Sequence, residues 1–189
     1  MRPKHIATID SYVKGMIAIA NDRLKDDWQQ QVGAPALNYW LEDYRTVGYK
    51  IPRQLGATAY IHEEAIADPH GLLITRDHKQ RDNIRDHFTR DGKLIGFMEK
   101  LDDETQRGLP SVTMNRIITV SELLGFMRVD LSIPENVEQW KIFWKKYLNV
   151  KTVYIDEGTR MFSRVRLSKF YKYLSEVVLD SDGLIIIAQ

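Results

Sequence analysis

Helical periodicity near the start of the chain is the sequence feature that most constrains the fold. Between positions 8 and 30, apolar side chains recur at the spacing of one buried helix face. They are Ile9, Tyr12, Val13, Met16, Ile17, Ala20, Leu24 and Trp28. After the break at Gly33-Ala34-Pro35, the apolar residues Leu37, Trp40, Leu41 and Tyr44 predict a second helix that ends near Gly48. We therefore expect a mostly helical N-terminal region at residues 1–91.

Short β-rich stretches alternate with helices in the second half of the chain. Residues 93–106 predict a helix, and the β-rich stretch 114–120 leads into a capping-box pattern at Thr119 and Glu122. Ser132 and Glu135 repeat this spacing before a longer helix, whose apolar stripe is Ile133, Val137, Trp140, Trp144 and Tyr147.

A β-hairpin is predicted next. Its arms are residues 151–156 and 160–167, around the short connection Glu157-Gly158-Thr159. In the second arm, alternation would place three arginines and Phe162 on the face opposite Met161 and Val165. A C-terminal helix from Ser168 and a strand at 184–188 complete an α+β fold, with a second domain at residues 92–189.

Positive charge is concentrated in the C-terminal half. Residues 133–173 hold nine basic and four acidic side chains, a net charge of +5 in a chain whose total is +1. Such asymmetry points to a polyanionic partner.

The order of elements from residue 93 onward resembles a winged helix-turn-helix DNA-binding domain. "RIITVSELLGFM" (116–127) is similar to the strand and second helix, "IPENVEQWKIFWKKYL" (133–148) takes the recognition-helix position, and "KTVYIDEGTRMFSRVRL" (151–167) the wing. The resemblance implies contacts with double-stranded DNA from Lys141, Lys145 and Lys146 in the helix, and from Arg160, Arg164 and Arg166 in the wing.

These patterns lead us to expect a cytoplasmic DNA-binding transcription regulator or accessory factor. It would be a homodimer, or another homo-oligomer, associating through the helix at 8–30, and it would be neither an enzyme nor dependent on a cofactor. The alternative is a protein-protein interaction factor of the phage or plasmid type that binds no nucleic acid. No apolar stretch approaches the roughly 20 residues of a membrane span, and we expect neither a signal peptide nor a membrane partner.

Several kinds of chemical site are excluded or left open. The absence of cysteine excludes disulfides and thiolate zinc sites. There is no phosphate loop ending in Gly-Lys-Ser/Thr and no dinucleotide-binding fingerprint. The stretch from His62 to His70 gathers metal-binding residue types without His-Glu-x-x-His spacing, so a metal there stays open.

A fourfold Arg-Asp repeat falls within residues 76–91. Because its positive and negative charges largely cancel locally, the repeat favours a solvated surface helix over a nucleic-acid-binding surface. The spacing predicts helical ion pairs from Asp77 to Arg81 and from Asp86 to Arg90.

Overall fold

In a computed structural model, the chain combines helices with a five-stranded sheet. The structure describes residues 4–25, 37–50, 56–90, 116–144 and 149–189. The strands are β1 (Thr46–Tyr49), β2 (Gly71–Thr75), β3 (Ile117–Thr119), β4 (Thr152–Ile155) and β5 (Leu184–Ala188). The prediction of a mixed helix and strand fold is thereby confirmed.

Eight α-helices are described. They are α1 (Lys4–Lys25), α2 (Leu37–Tyr44), α3 (Ala57–Ala67), α4 (His78–Arg90), α5 (Val120–Phe126), α6 (Pro134–Ile142), α7 (Gly158–Phe162) and α8 (Leu167–Tyr173). A π-helical turn, Leu174–Val178, extends α8. The predicted helix at 93–106 lies outside the described residues.

The strands lie in the order β1-β5-β4-β2-β3, and every pairing is parallel. Strands β2 and β5 are buried along their whole length and are mostly apolar, as expected for parallel strands that are covered on both faces. Strands from both sides of the predicted boundary at 91/92 pair with each other, since β1 lies beside β5 and β2 beside β4. The sheet therefore does not divide at that position.

Two apolar clusters cover the faces of the sheet. One contains residues of α1, α3 and α4, including Val13, Ile61 and Ile84. The other contains residues of α2, α5 and α7 together with Trp144 and Phe170. Because the side chains of a strand alternate, Tyr154 belongs to the first cluster and Val153 and Ile155 to the second.

The capping predictions differ in outcome. Thr119 and Glu122 form the predicted capping box at the start of α5, with the Glu122 N–H donating to Thr119 Oγ1 at 3.2 Å and the Thr119 N–H to Glu122 Oε2 at 2.7 Å. The predicted Ser132 cap is wrong. The residue before α6 is Ile133. The Ser132 hydroxyl instead donates a hydrogen bond to Asp130 Oδ1 at 2.7 Å.

The β-hairpin at 151–167 is also wrong. β4 pairs with β2 and β5 rather than with the following residues, and Gly158–Phe162 forms α7. The predicted wing is therefore a strand followed by a helix whose Met161 packs in the apolar cluster on one face of the sheet. The physical reason is that β4 lies in the middle of a parallel sheet, where both of its edges already have partners.

The ion pair predicted between Asp77 and Arg81 is replaced by other contacts. Because α4 begins at His78, Asp77 precedes the helix, and its Oδ1 accepts from the Gln80 N–H at 2.9 Å. Arg81 instead contacts Glu122 at 2.5 Å and Asp82 at 3.1 Å. The other predicted ion pair, between Asp86 and Arg90, involves the Arg90 side chain, which lies outside the described part of the structure.

Candidate functional site

A cleft of about 980 Å³ opens at the carboxyl ends of the strands. Its walls come from five places: the end of β1, the first turns of α3, the residue after β2, the segment from the end of β4 into α7, and the end of β5. Its lining includes the polar and charged side chains of Lys50, Thr58, His62, Arg76, Asp156, Glu157 and Arg160.

The topology explains why a cleft forms there. From β2 the chain continues into α4 on one face of the sheet, whereas from its neighbour β4 it continues into α7 on the opposite face. The two connections diverge, and in parallel sheets the space between such connections is the usual place for a ligand.

Asp156 is the most enclosed acidic group of the cleft, with only 2% of its surface exposed. Thr58 donates from Oγ1 to Asp156 Oδ1 at 3.3 Å, and Gln80 donates from Nε2 to Oδ2 at 2.5 Å. His62 Nε2 lies 2.9 Å from the same Oδ2. A carboxylate loses much hydration when it is buried, and these contacts compensate for it while fixing the carboxylate towards α3 and α4.

Glu157 has a backbone conformation that is uncommon for a residue with a side chain. Its φ is 54°, in the left-handed region, which costs on the order of 1–2 kcal/mol for such residues. Its carboxylate lies 3.1 Å from Arg160 Nη1 and 3.4 Å from Arg76 Nη1. Backbone strain of this kind concentrates at functional sites, where it fixes the direction of a side chain.

Arg76 is held from its other side by Asp77, whose Oδ2 lies 2.6 Å from Arg76 Nε. This hydrogen bond, with the nearby charge of Glu157, raises the pKa of the Arg76 guanidinium. The N–H of Gln80, together with Arg76, lowers the pKa of Asp77. Both side chains therefore stay charged at neutral pH.

The start of α3 forms the wall facing β4. Gly56, with φ 88°, precedes this helix without a side-chain cap, and residues 57–59 line the cleft. The first N–H groups of a helix have no acceptor within the helix, and the helix dipole places partial positive charge at this end. This wall is therefore suited to an anion.

Four of the six residues predicted to contact DNA lie in the described part of the chain. Lys141 lies on α6, and Arg164 and Arg166 are exposed between α7 and α8. Arg160 lies on α7 and, among the four described members of the set, is the one that lines the cleft. Lys145 and Lys146 lie outside the described residues.

The two ends of the histidine-rich stretch point to opposite ends of the sheet. His62 faces the cleft, whereas His70 precedes β2 and its Nδ1 lies 3.1 Å from the backbone oxygen of Asn149. Within the described ranges, no group of three or more histidine, aspartate or glutamate side chains is arranged to hold a metal ion.

The predicted self-association through the first helix stays a prediction. Tyr12 and Ile19, seven residues apart on α1, have 53% and 50% of their surfaces exposed. This spacing places them on the same side of the helix.

Sequence reasoning missed most of the cleft because it searched for a continuous phosphate-loop motif. Ala57 stands between Gly56 and Thr58 where such a motif has lysine. A second signal was present in "TVYIDE" (152–157), in which two acids directly follow an apolar strand.

Comparison of the chain with protein-family models, curated proteins and solved structures gave no match. Among the helices that the structure describes, none combines the length and the apolar character needed to cross a membrane.

Proposed function

We propose that the protein binds a magnesium–nucleoside triphosphate in the cleft and hydrolyses its terminal phosphate. The observation that carries this proposal is the contact between Thr58 Oγ1 and Asp156 Oδ1, 3.3 Å across the cleft and 98 residues apart in sequence. A hydroxyl at the start of a helix and an aspartate after another strand of the same sheet are the two protein groups that hold Mg²⁺ in phosphate-loop nucleotide hydrolases.

The donor set fits this ion. Mg²⁺ prefers oxygen ligands and is usually held by one or two protein groups together with water and substrate phosphates. Thr58 and Asp156 supply two oxygens beside the helix end that is suited to phosphate. When bound, the ion would neutralise phosphate charge and polarise the terminal phosphoryl group.

Phosphate binding would use the N-terminus of α3 and nearby cations. Residues 51–58 read I-P-R-Q-L-G-A-T, which keeps the second glycine and the threonine of Gly-x-x-x-x-Gly-Lys-Ser/Thr. Ile51 and Ala57 replace the first glycine and the lysine. Lys50, at the end of β1, lines the same cleft and supplies a positive charge there.

Glu157 would act as the general base. Its carboxylate would accept a proton from a water molecule as the water oxygen attacks the terminal phosphorus. The bond from that phosphorus to the bridging oxygen breaks, and its electron pair leaves with the nucleoside diphosphate. The side chain of Asp156, held by Thr58, His62 and Gln80, would remain fixed during this step.

Thr58→Val tests the proposed metal-side contact. Valine has nearly the volume of threonine but lacks the hydroxyl, so we expect the affinity for Mg·ATP to fall about tenfold, a loss of roughly 1.4 kcal/mol. Isothermal titration calorimetry with and without Mg²⁺ measures this change. Thr152→Val, at the amino end of β4 and away from the cleft, is the matched control and should bind like the wild type. Equal affinity of the Thr58 variant and the wild type would remove Thr58 from the site.

A second candidate function, binding of double-stranded DNA, is favoured by a different observation. Residues 158–173 contain five basic side chains and no acidic one, and all five residues are exposed. They are Arg160, Arg164, Arg166, Lys169 and Lys172. Glu157 and Glu176, just outside this segment, pair with Arg160 and Lys172. The excess of positive charge that remains is the electrostatic footprint of a protein that contacts phosphate backbones.

The double variant Arg164→Glu/Arg166→Glu tests DNA binding. We expect the wild type to bind a mixed-sequence duplex with an affinity that falls steeply with salt, and the variant to bind at least about tenfold more weakly. Fluorescence anisotropy at several salt concentrations measures both properties. The pair Glu135→Lys/Glu138→Lys on α6 controls for net charge by changing it in the opposite direction elsewhere. Wild-type affinity in the arginine variant would exclude this surface.

A further inference from the structure

Arg76 connects the two acidic residues of the cleft through a continuous chain of hydrogen bonds. Its guanidinium contacts Asp77 and Glu157, and its backbone N–H donates to Gln80 Oε1 at 3.1 Å. Gln80 in turn donates from Nε2 to Asp156 at 2.5 Å. The short segment 76–80 after β2 therefore contacts the group proposed to hold the metal ion and the proposed general base.

We infer that Arg76 is the positioning residue that distinguishes a nucleoside triphosphate from a diphosphate, by exchanging its contact with Glu157 for the terminal phosphate. This inference rests on the proposed function. Arg76 would bind the terminal phosphoryl group. When that group is present, Arg76 would release its contact with Glu157.

The contact of Arg76 with Glu157 is weaker than the contact that Arg76 would make with a phosphoryl group. The distance from Nη1 to the two Glu157 oxygens is 3.4–3.5 Å, long for an ion pair, and Glu157 is one-third exposed. An exposed pair at this distance contributes little. A phosphoryl group offers three charged oxygens and accepts shorter, paired hydrogen bonds from a guanidinium. Phosphate should therefore displace Glu157 from Arg76.

After this exchange, Asp77 holds the Arg76 guanidinium in place and Arg160 holds the Glu157 carboxylate. Asp77, 2.6 Å from Arg76 Nε, keeps the guanidinium in the cleft when its contact with Glu157 is lost. Arg160, 3.1 Å from Glu157, keeps the carboxylate oriented when Arg76 turns away. The result is a free carboxylate oxygen on Glu157 at the moment when a terminal phosphate is in place.

The test is to measure Mg·ATP and Mg·ADP affinities of the full chain by isothermal titration calorimetry. We expect Arg76→Gln to bind Mg·ATP about tenfold more weakly than the wild type, while its Mg·ADP affinity stays within about twofold. Arg76→Lys, which keeps the charge but not the paired donors, should recover part of the loss. Arg85→Gln, on α4 and outside the cleft lining, is the control and should leave both affinities unchanged.

The outcomes separate this inference from the proposed function. If the wild type binds both nucleotides and Arg76→Gln lowers the two affinities equally, or lowers neither, Arg76 does not recognise the terminal phosphate. Only the inference then fails. A wild type that binds neither nucleotide overturns the proposed function and the inference with it. Selective loss of Mg·ATP affinity supports the inference, because a merely structural defect would affect both nucleotides.

Discussion

Glu157→Gln is expected to bind Mg·ATP with an affinity within about threefold of the wild type and to hydrolyse it at least about 100-fold more slowly. Glutamine keeps the shape of the side chain and can still accept a hydrogen bond from Arg160, which lies 3.1 Å away in the wild type. It cannot accept the proton of the attacking water. Phosphate release under single-turnover conditions measures the chemical step, and calorimetry measures binding.

Glu135→Gln is the control for this experiment, because Glu135 is an exposed residue in the first turn of α6. It should hydrolyse Mg·ATP at the wild-type rate. Wild-type hydrolysis by Glu157→Gln would show that another group activates the water. Loss of binding together with hydrolysis would instead place Glu157 among the groups that hold the substrate.

The second large effect is expected at Arg45, which has only 2% of its surface exposed. Its guanidinium donates to the backbone oxygens of Ala20 at 2.6 Å, Asp182 at 2.7 Å and Gly183 at 2.9 Å, and to Asn21 Oδ1 at 3.1 Å. Burial lowers the pKa of Arg45, and the charge of Asp182 partly opposes this shift. The Arg45 side chain, from the position just before β1, thus joins that strand to α1 and to the turn before β5.

Arg45→Met should lower the free energy of unfolding by about 3–5 kcal/mol, because several carbonyl oxygens lose a charged donor at once. Urea denaturation followed by circular dichroism measures the loss. Arg128→Met, at an exposed position after α5, should change stability by less than about 0.5 kcal/mol. A loss of under about 1 kcal/mol at Arg45 would mean that water replaces the guanidinium at these carbonyls.

The helices and the positions of β3, β4 and β5 were largely predictable from the sequence, whereas the parallel pairing of the strands was not. Periodicity and capping patterns anticipated α1, α2 and α5 because those signals lie within a few residues of one another. The pairing of β4 was missed because parallel partners lie far away in sequence, whereas a hairpin partner is close by. Met161 and Val165, four residues apart and both buried, satisfy strand alternation and helical spacing equally well.

The cleft was predictable only in part for a related reason. Its polar groups come from three segments, around residues 56–62, 76–80 and 156–160, and parallel pairing brings their strands to one edge of the sheet. Arg160 was selected from charge alone, and His62 was considered as a metal ligand. Asp156 and Glu157 were interpreted as part of a hairpin, so their position after a central strand was not recognised.

The measurement that tests the central claim most directly is calorimetric titration of the wild-type chain with ATP, in the presence and in the absence of Mg²⁺. We predict one site per chain, with an affinity at least about tenfold higher when Mg²⁺ is present, because Thr58 and Asp156 would hold the ion against the phosphates. Absence of ATP binding under both conditions, or binding that is indifferent to Mg²⁺, would contradict the assignment of the cleft.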